Sequence, residues 1–225
     1  MEKISLMVTI AILGGTGREG KGLGYRWAKA GYKILIGSRS VEKAVTAASE
    51  IMEWLEGSSS VVGVSNFEAA EHADIVVLTV PYAAHRETLE GVKDVLKGKI
   101  LIDVTSLSIP PTVTKVHMPT AGSVAQEARE IVGEDVEVVD AFQSISHKHL
   151  FSDEAMECDV LVTGTSKDAR AEVLKLVEAA GLTGWDAGPI ENSIVVEGFA
   201  SVLRYINKQY GSTNAGIKIT SVEKK

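Results

Sequence analysis

Val8-Thr9-Ile10-Ala11-Ile12-Leu13-Gly14-Gly15-Thr16-Gly17-Arg18-Glu19-Gly20 is the stretch on which the reading of the fold turns. Its first half, Val8 to Leu13, is apolar apart from Thr9 and is bounded by glycine, the pattern of a strand buried within a parallel sheet. Its second half, Gly15 to Gly20, has the spacing G-x-G-x-x-G and runs into a stretch with helical character up to about Ala30. In a strand–turn–helix unit each of these glycines has a physical task. The first permits the tight turn, the second lets the backbone approach a pyrophosphate, and the third lets helix pack closely on strand. The pyrophosphate is then held at a helix N-terminus, near a partial charge of roughly +0.5. The stretch therefore predicts a dinucleotide site at the end of the first strand.

Outward from this unit the chain alternates. Gly31 is placed to end the first helix in a left-handed conformation. Lys33 to Gly37 predicts a second strand, Val41 to Leu55 a helix, and Val61 to Val64 a third strand after a flexible break at Gly57 to Ser60. A brief helix at Phe67 to Glu71, a strand at Asp74 to Val80, a helix at His85 to Leu96 and a strand at Lys99 to Val104 follow. Ser123 to Ile131 predicts a helix and Val136 to Phe142 a strand. Val160 to Gly164 and Thr183 to Ala187 then read as strands around a helix at Lys167 to Ala180, which Gly181 ends, and a last helix runs from about Ile190 to Gln209. Parallel strands need crossover connections, so this alternation implies an α/β protein, a Rossmann doubly wound and mostly parallel sheet covered by helices on both faces. Residues 1–150 are expected to form the nucleotide-binding Rossmann domain. Residues 151–225 are expected to form a small C-terminal α+β region that walls the pocket. The last helix carries Ile194, Val195, Phe199, Val202, Leu203 and Ile206 at helical spacing, which predicts packing against a second copy and hence a homodimer.

The composition excludes several classes. Of 225 residues, 45% are hydrophobic and 24% charged, the range of ordinary globular domains. A net charge of −7 argues against a general nucleic-acid or membrane-surface binder while leaving room for a local basic pocket. The single cysteine, Cys158, rules out an internal disulfide and fits a reducing cytoplasm, where it serves as a small buried hydrophobe. The apolar run from Leu6 to Leu13 is too short to span a bilayer and ends in glycines rather than a cleavage site, so no signal peptide is expected. The first six residues read as a loose extension.

The second strand decides which dinucleotide. NAD-preferring domains place a carboxylate at its end to accept hydrogen bonds from the ribose 2′-OH. Here that position reads Gly37-Ser38-Arg39-Ser40, with no carboxylate before Glu42. A hydroxyl and a guanidinium receive a 2′-phosphate that a carboxylate would repel. Lys43, one helical turn on, adds a second cation, and Thr16 is within reach of the same phosphate. NADP(H) is therefore expected rather than NAD(H).

At this point the chain resembles a known family, the NADP-dependent reductases of the deazaflavin coenzyme F-420 (F420). The likeness runs through Ile12-Leu13-Gly14-Gly15-Thr16-Gly17, Ile36-Gly37-Ser38-Arg39 and Val77-Leu78-Thr79-Val80-Pro81-Tyr82. It continues in Gly122-Ser123-Val124-Ala125, Val138-Val139-Asp140-Ala141-Phe142-Gln143, Cys158-Asp159-Val160-Leu161-Val162, Asp186-Ala187-Gly188-Pro189 and Gly216-Ile217-Lys218-Ile219. What the resemblance implies is reversible hydride transfer between NADP(H) and the deazaflavin ring. Gly15, Thr16, Gly17, Arg18, Glu19 and Gly20, with Ser38, Arg39 and Lys43, would hold the nucleotide. Val80, Ser106 and His147 lie where the family lines the rest of the cofactor groove. FMN or FAD is the alternative acceptor.

A hydride passing directly between stacked rings needs no nucleophile, metal or covalent intermediate, only orientation and exclusion of water. The sequence shows no catalytic triad and no strong metal constellation, and no catalytic residue is assigned. The loops Thr79 to Tyr82 and Ser106 to Pro111 would wall the ring pocket. Ser146-His147-Lys148-His149 is an unusual polar cluster: a contact for an anionic tail or the nicotinamide end, or, for Lys148 and His149, a solvated loop. His147 and His149 on one strand face lack a third metal ligand. Gln143 would orient a ring or satisfy a buried backbone group. His72, His85 and His117 read as structural or exposed, and Tyr82 and Phe142 as core residues or, from their loop-edge positions, ring-stacking ones. Two other functions fit parts of the pattern. A reductase of a small carbonyl or imine needs a proton donor such as Tyr or Lys, and the pair Tyr25 and Lys29 lies inside the first helix, away from the strand ends. A non-catalytic NADP(H) sensor would bind the nucleotide without turnover.

Overall fold

The computed structural model describes residues 8–57, 60–108, 111–151 and 157–223. The expected loose extension, part of the break after Gly57, and residues 109 and 110 of the second wall loop lie outside them. Sixteen elements alternate along the chain: β1 (Thr9–Leu13), α1 (Arg18–Lys29), β2 (Lys33–Ser38), α2 (Val41–Trp54), β3 (Val61–Ser65), α3 (Asn66–His72), β4 (Ile75–Leu78), α4 (Tyr82–Glu90), β5 (Ile100–Asp103), α5 (Val124–Val132), β6 (Glu137–Asp140), α6 (His147–Leu150), β7 (Asp159–Gly164), α7 (Lys167–Ala179), β8 (Thr183–Pro189) and α8 (Ser193–Tyr210). Short 3₁₀ turns at Lys93–Val95 and Ile190–Asn192 complete them.

The strands form one sheet in the order β3-β2-β1-β4-β5-β6-β7-β8. All neighbours are parallel except β6 and β7, which pair antiparallel through Val139 with Gly164 and Asp140 with Thr163. The period of two in β1 explains why both faces are covered. Ile10 and Ile12 face a core shared with Ile34, Ile36, Val77 and the apolar stripes of α1, α2 and α7. Ala11 and Leu13 face the opposite core with Leu35, Val76, Leu78 and residues of α3 and α5. The sheet crosses the expected boundary at residue 150, since β7 and β8 extend it and α7 shares the core of α1. Trp27 of α1 donates its indole N–H to the Leu176 carbonyl of α7 at 2.8 Å.

Several element ends differ from the sequence reading. The fourth strand stops at Leu78, so Val80 lies beyond it, and α4 begins at Tyr82 rather than His85. Pro81, with φ near the helical value, stands just before that start, and Gly91 closes the helix well short of Leu96. The sixth strand ends at Asp140 because Phe142 takes φ +75°, a left-handed conformation unusual for an aromatic residue. The turn re-aims the chain: Phe142 stays buried, edge-on to Trp27 with ring centroids 5.7 Å apart, and Gln143 points toward the strand ends. Residues 147–150 form a single helical turn rather than a strand or an open loop. Ser146 starts it by accepting the Lys148 N–H, and the short polar run offered no apolar period to reveal it. Among the described residues, no helix is long and apolar enough to cross a membrane, and no three His, Cys, Asp or Glu side chains gather as metal ligands.

Candidate functional site

Leaving β1, the chain turns left-handed at Gly14 (φ +69°), whose N–H donates to Asn66 Oδ1 at 3.3 Å. The conformational freedom thus sits one residue before the first glycine of the G-x-G-x-x-G run. Gly15 is constrained by space instead: a Cβ there would meet the Ile12 carbonyl oxygen at 2.7 Å. A Cβ on Gly20 would meet Gly15 Cα at 2.6 Å, so α1 rests directly on the turn. Gly17 is different. A Cβ there would meet only Gly14 O, at 3.8 Å, and no side chain caps α1 at this residue. The helix end is open on the side where a phosphate would sit, with its first-turn N–H groups lacking a side-chain acceptor.

This turn forms the floor of a cleft of about 1030 Å³ across the carboxyl ends of β1, β2, β4 and β5, the switch point where the chain leaves β1 toward β2 on one side and β4 on the other. At one end of the cleft lie Ser38, Arg39, Ser40 and Lys43. Ser38 is buried and its hydroxyl accepts the Ser40 N–H at 3.2 Å. Ser40 caps α2 by accepting the Lys43 N–H and donates its hydroxyl to Glu42 at 2.8 Å, which holds the Glu42 carboxyl below its usual range. Glu42 lines a separate shallow depression rather than this cleft, so the basic end keeps its two cations without a facing carboxylate.

The other end lies over β4, β5 and β6. Gln143 donates its amide to the Asp103 carbonyl at 2.7 Å and to the Asp140 carboxyl, and its Oε1 is buried, without a partner, at the cleft wall. Beneath it is a buried polar layer. Asp103 accepts from the Thr105 N–H at 2.9 Å and is 2.7 Å from His85 Nε2, with both side chains shut off from solvent. Asp140 is pushed well above the ordinary carboxyl range by burial and by Glu197 and Asp103 nearby. Glu197 accepts the Val124 and Ala125 N–H groups at the start of α5, yet burial pushes it up to about 8. Tyr82 lies parallel to His85 and donates its hydroxyl to Glu127 at 2.7 Å; burial and that carboxylate push the phenol up to about 12. His147 reaches the cleft from α6, and burial together with Arg18 and Lys148 keeps its imidazole below the usual value.

Thr16, Gly17, Arg18 and Glu19 from the turn all line the cleft, as do Ser38, Arg39 and Lys43, and then Val80, Ser106 and His147. Gly15 and Gly20 lie beneath it as packing residues. Lys148 is solvent-exposed as expected, but it and His149 belong to the turn of α6 rather than a loop: Lys148 Nζ donates to Thr213 Oγ1 at 3.0 Å, and His149 Nε2 is 3.3 Å from the Asn214 carbonyl. They strap the segment after α8 onto α6, where Arg26 also donates to the His149 and Leu150 carbonyls. Tyr25 and Lys29 stay on α1 among Trp54 and Phe151, away from the cleft. Sequence reasoning missed Asn66, Arg204 and Asn207. Asn66 follows the third strand and fills the space a Gly37 Cβ would take, 2.9 Å from Oδ1. Arg204 and Asn207 are polar interruptions of a helix read only for its apolar residues.

An eight-stranded, mostly parallel sheet with a glycine turn opening onto its switch point places the chain in the Rossmann class of nucleotide-binding α/β proteins. Residues 9–106 match the family model described as NADP oxidoreductase, coenzyme F420-dependent. The F420-dependent NADP reductase of Methanocaldococcus jannaschii is 37% identical over 222 residues, covering 95% of this chain and 99% of that protein. That of Methanothermobacter marburgensis is 37% identical over 220 residues, covering 95% and 98%. A solved structure from Arthrobacter sp. FB24, described there as a proposed F420-dependent NADP-reductase, superposes with a TM-score of 0.78 at 25% identity, covering 94% of this chain and 99% of that one. The chain belongs to the family of F420-dependent NADP reductases.

Proposed function

We propose that this protein transfers a hydride reversibly between NADP(H) and coenzyme F420. The observation that carries the reading is the two-ended cleft. Its basic end presents Ser38, Arg39 and Lys43 without a facing carboxylate, and its opposite end offers fixed polar atoms over a dry polar layer. The nucleotide fits the residues present: Gly17 leaves room for backbone approach, and the uncapped start of α1 lacks an acceptor that a pyrophosphate supplies. Arg39, Lys43 and Thr16 would hold the 2′-phosphate. The nicotinamide and deazaflavin rings together supply the hydride donor and acceptor when both are bound.

The chain's own work is placement. Gln143, anchored through two hydrogen bonds from its amide nitrogen, leaves one acceptor that orients a ring N–H or carboxamide. Asp140, whose carboxyl burial holds well above its ordinary range, and the closed His85–Asp103 pair keep that anchor rigid. Val80 and Ser106 flank the same end and help exclude water. A carbonyl or imine reductase would instead need a proton donor here. Tyr82, the phenol in the cleft wall, is committed to Glu127 and shifted away from proton release.

The exposed face of α8, with Ile194, Val195, Val202 and Tyr205, supports a homodimer. The lone buried Cys158 suits a reducing cytoplasm. Residues 151–225 serve this reading as the wall of the ring end. An anaerobic absorbance assay with NADPH and F420, FMN, FAD or a carbonyl panel tests it. Turnover of F420 far above every other acceptor is expected; faster flavin or carbonyl turnover, or nucleotide binding with no turnover, would overturn it.

A further inference from the structure

Arg204 reaches into the cleft from α8, the helix that closes its far side. One guanidinium nitrogen, Nη2, donates to Ser106 Oγ at 3.2 Å, while Nη1 is shut off from solvent and has no partner. A shielded guanidinium with an idle donor is costly unless an acceptor arrives, because its unpaired N–H cannot turn to water. On the opposite wall, the Glu19 carboxyl is also shielded and its Oε1 also lacks a partner. The two groups feel each other's charge, but no ion pair closes between them. Burial outweighs that attraction and pushes Glu19 up to about 8, so it stands as a neutral acid at pH 7. A cation and an uncharged acid across a gap, each with a bare atom, form a site that offers N–H and O–H donors together.

The position of the gap identifies what enters it. Glu19 is the second residue of α1, two after the uncapped Gly17, so Arg204 overhangs the helix end where the phosphates of a dinucleotide lie. Ser38, Arg39 and Lys43 belong to the opposite, β2 side of the turn. We propose that Arg204 is a second anion-binding residue of this enzyme, gripping a pyrophosphate oxygen of the bound dinucleotide from α8 while Glu19 forms the facing wall. This rests on the dinucleotide reading above. It gives α8 a direct part in nucleotide binding, so that the helix clamps the bridge of the cofactor between itself and the glycine turn.

The test uses the intact protein, with Arg204→Met, Arg204→Lys and the wild type titrated by calorimetry against NADPH, NADH and 2′-AMP. Wild-type failure to bind NADPH at all would sink the dinucleotide reading and this role with it, whereas wild-type binding that the variants leave unchanged would sink the role alone. If the inference holds, Arg204→Met weakens NADPH and NADH by the same factor, on the order of tenfold to a hundredfold. It leaves 2′-AMP, which has no pyrophosphate, unchanged. Arg204→Lys recovers part of the loss, because it keeps the charge without the fork. Unchanged dinucleotide affinity, whether or not the acceptor KM rises, overturns the assignment, as does a loss shared by 2′-AMP. An unaltered melting temperature of the unliganded variant separates lost binding from lost folding.

Discussion

Arg39 stands exposed at the mouth of the cleft, where its charge is screened and contributes little to stability. Its value is chemical selectivity. Replacing it with alanine is expected to weaken NADPH by roughly 1.5–3 kcal/mol, about tenfold to a hundredfold, and to leave NADH nearly untouched; equal losses in a fluorescence titration would refute the assignment. Tyr82 supplies the converse case. Its hydroxyl already donates to Glu127, so Tyr82→Phe should change hydride transfer from NADPH to F420 by no more than about threefold while removing one hydrogen bond of about 1 kcal/mol from stability. A collapse of kcat with an unchanged melting temperature would reinstate the phenol as a proton donor. Residues of these two kinds differ in how legible they are. Arg39 was visible because a missing carboxylate after the second strand has a direct electrostatic meaning. Arg204 was not, since one arginine in an amphipathic helix is most often a solvated charge, and only the packing shows its unpaired nitrogen.

Among the elements, the β1–turn–α1 unit was readable because hydrophobic period, glycine spacing and helix start all agree, a consistency that marks foldable sequence. The structure adds the mechanical reason for Gly20, whose missing Cβ lets α1 touch Gly15. Gly20→Ala forces backbone against backbone, so overpacking of about 1–3 kcal/mol is expected, with weakened binding of both NADPH and NADH. A variant that keeps its melting temperature and both affinities would contradict this contact. Elements were least legible where the period fails. The turn of α6 is four residues long with three polar members, and the left-handed Phe142 ends β6 two residues early for reasons that lie in its packing on Trp27. The antiparallel pairing of β7 with β6 was likewise invisible, because both directions of a buried strand carry the same apolar pattern.

For the molecule as a whole, buried acids set the pH response. Glu19 and Glu197 are pushed up to about 8 and Asp140 is also raised, whereas in the unfolded chain such groups ionise near pH 4. Between those limits the unfolded chain gives up protons that the folded one keeps, so the contribution of these acids is full below about pH 4 and is lost as the pH climbs toward about 8. His147, held low, opposes this trend weakly and only below its unfolded value, and the lowered Asp186 has delivered its share by about pH 5. Thermal melts of the nucleotide-free protein should show this decline, and Glu19→Gln should flatten part of it; a melting temperature that rises across the same range would count against these assignments. The strap that ties Thr213 and Asn214 to α6 bears on how the protein comes into being. By Asp140 six neighbouring strands and the glycine turn have been made, but α7, which completes the core on α1, and residues 200–215, which finish the far wall, have not. On the proposed function, the residues of the adenosine end are all made before the wall that serves the rings, so a chain cut ahead of residue 200 is expected to show no redox turnover.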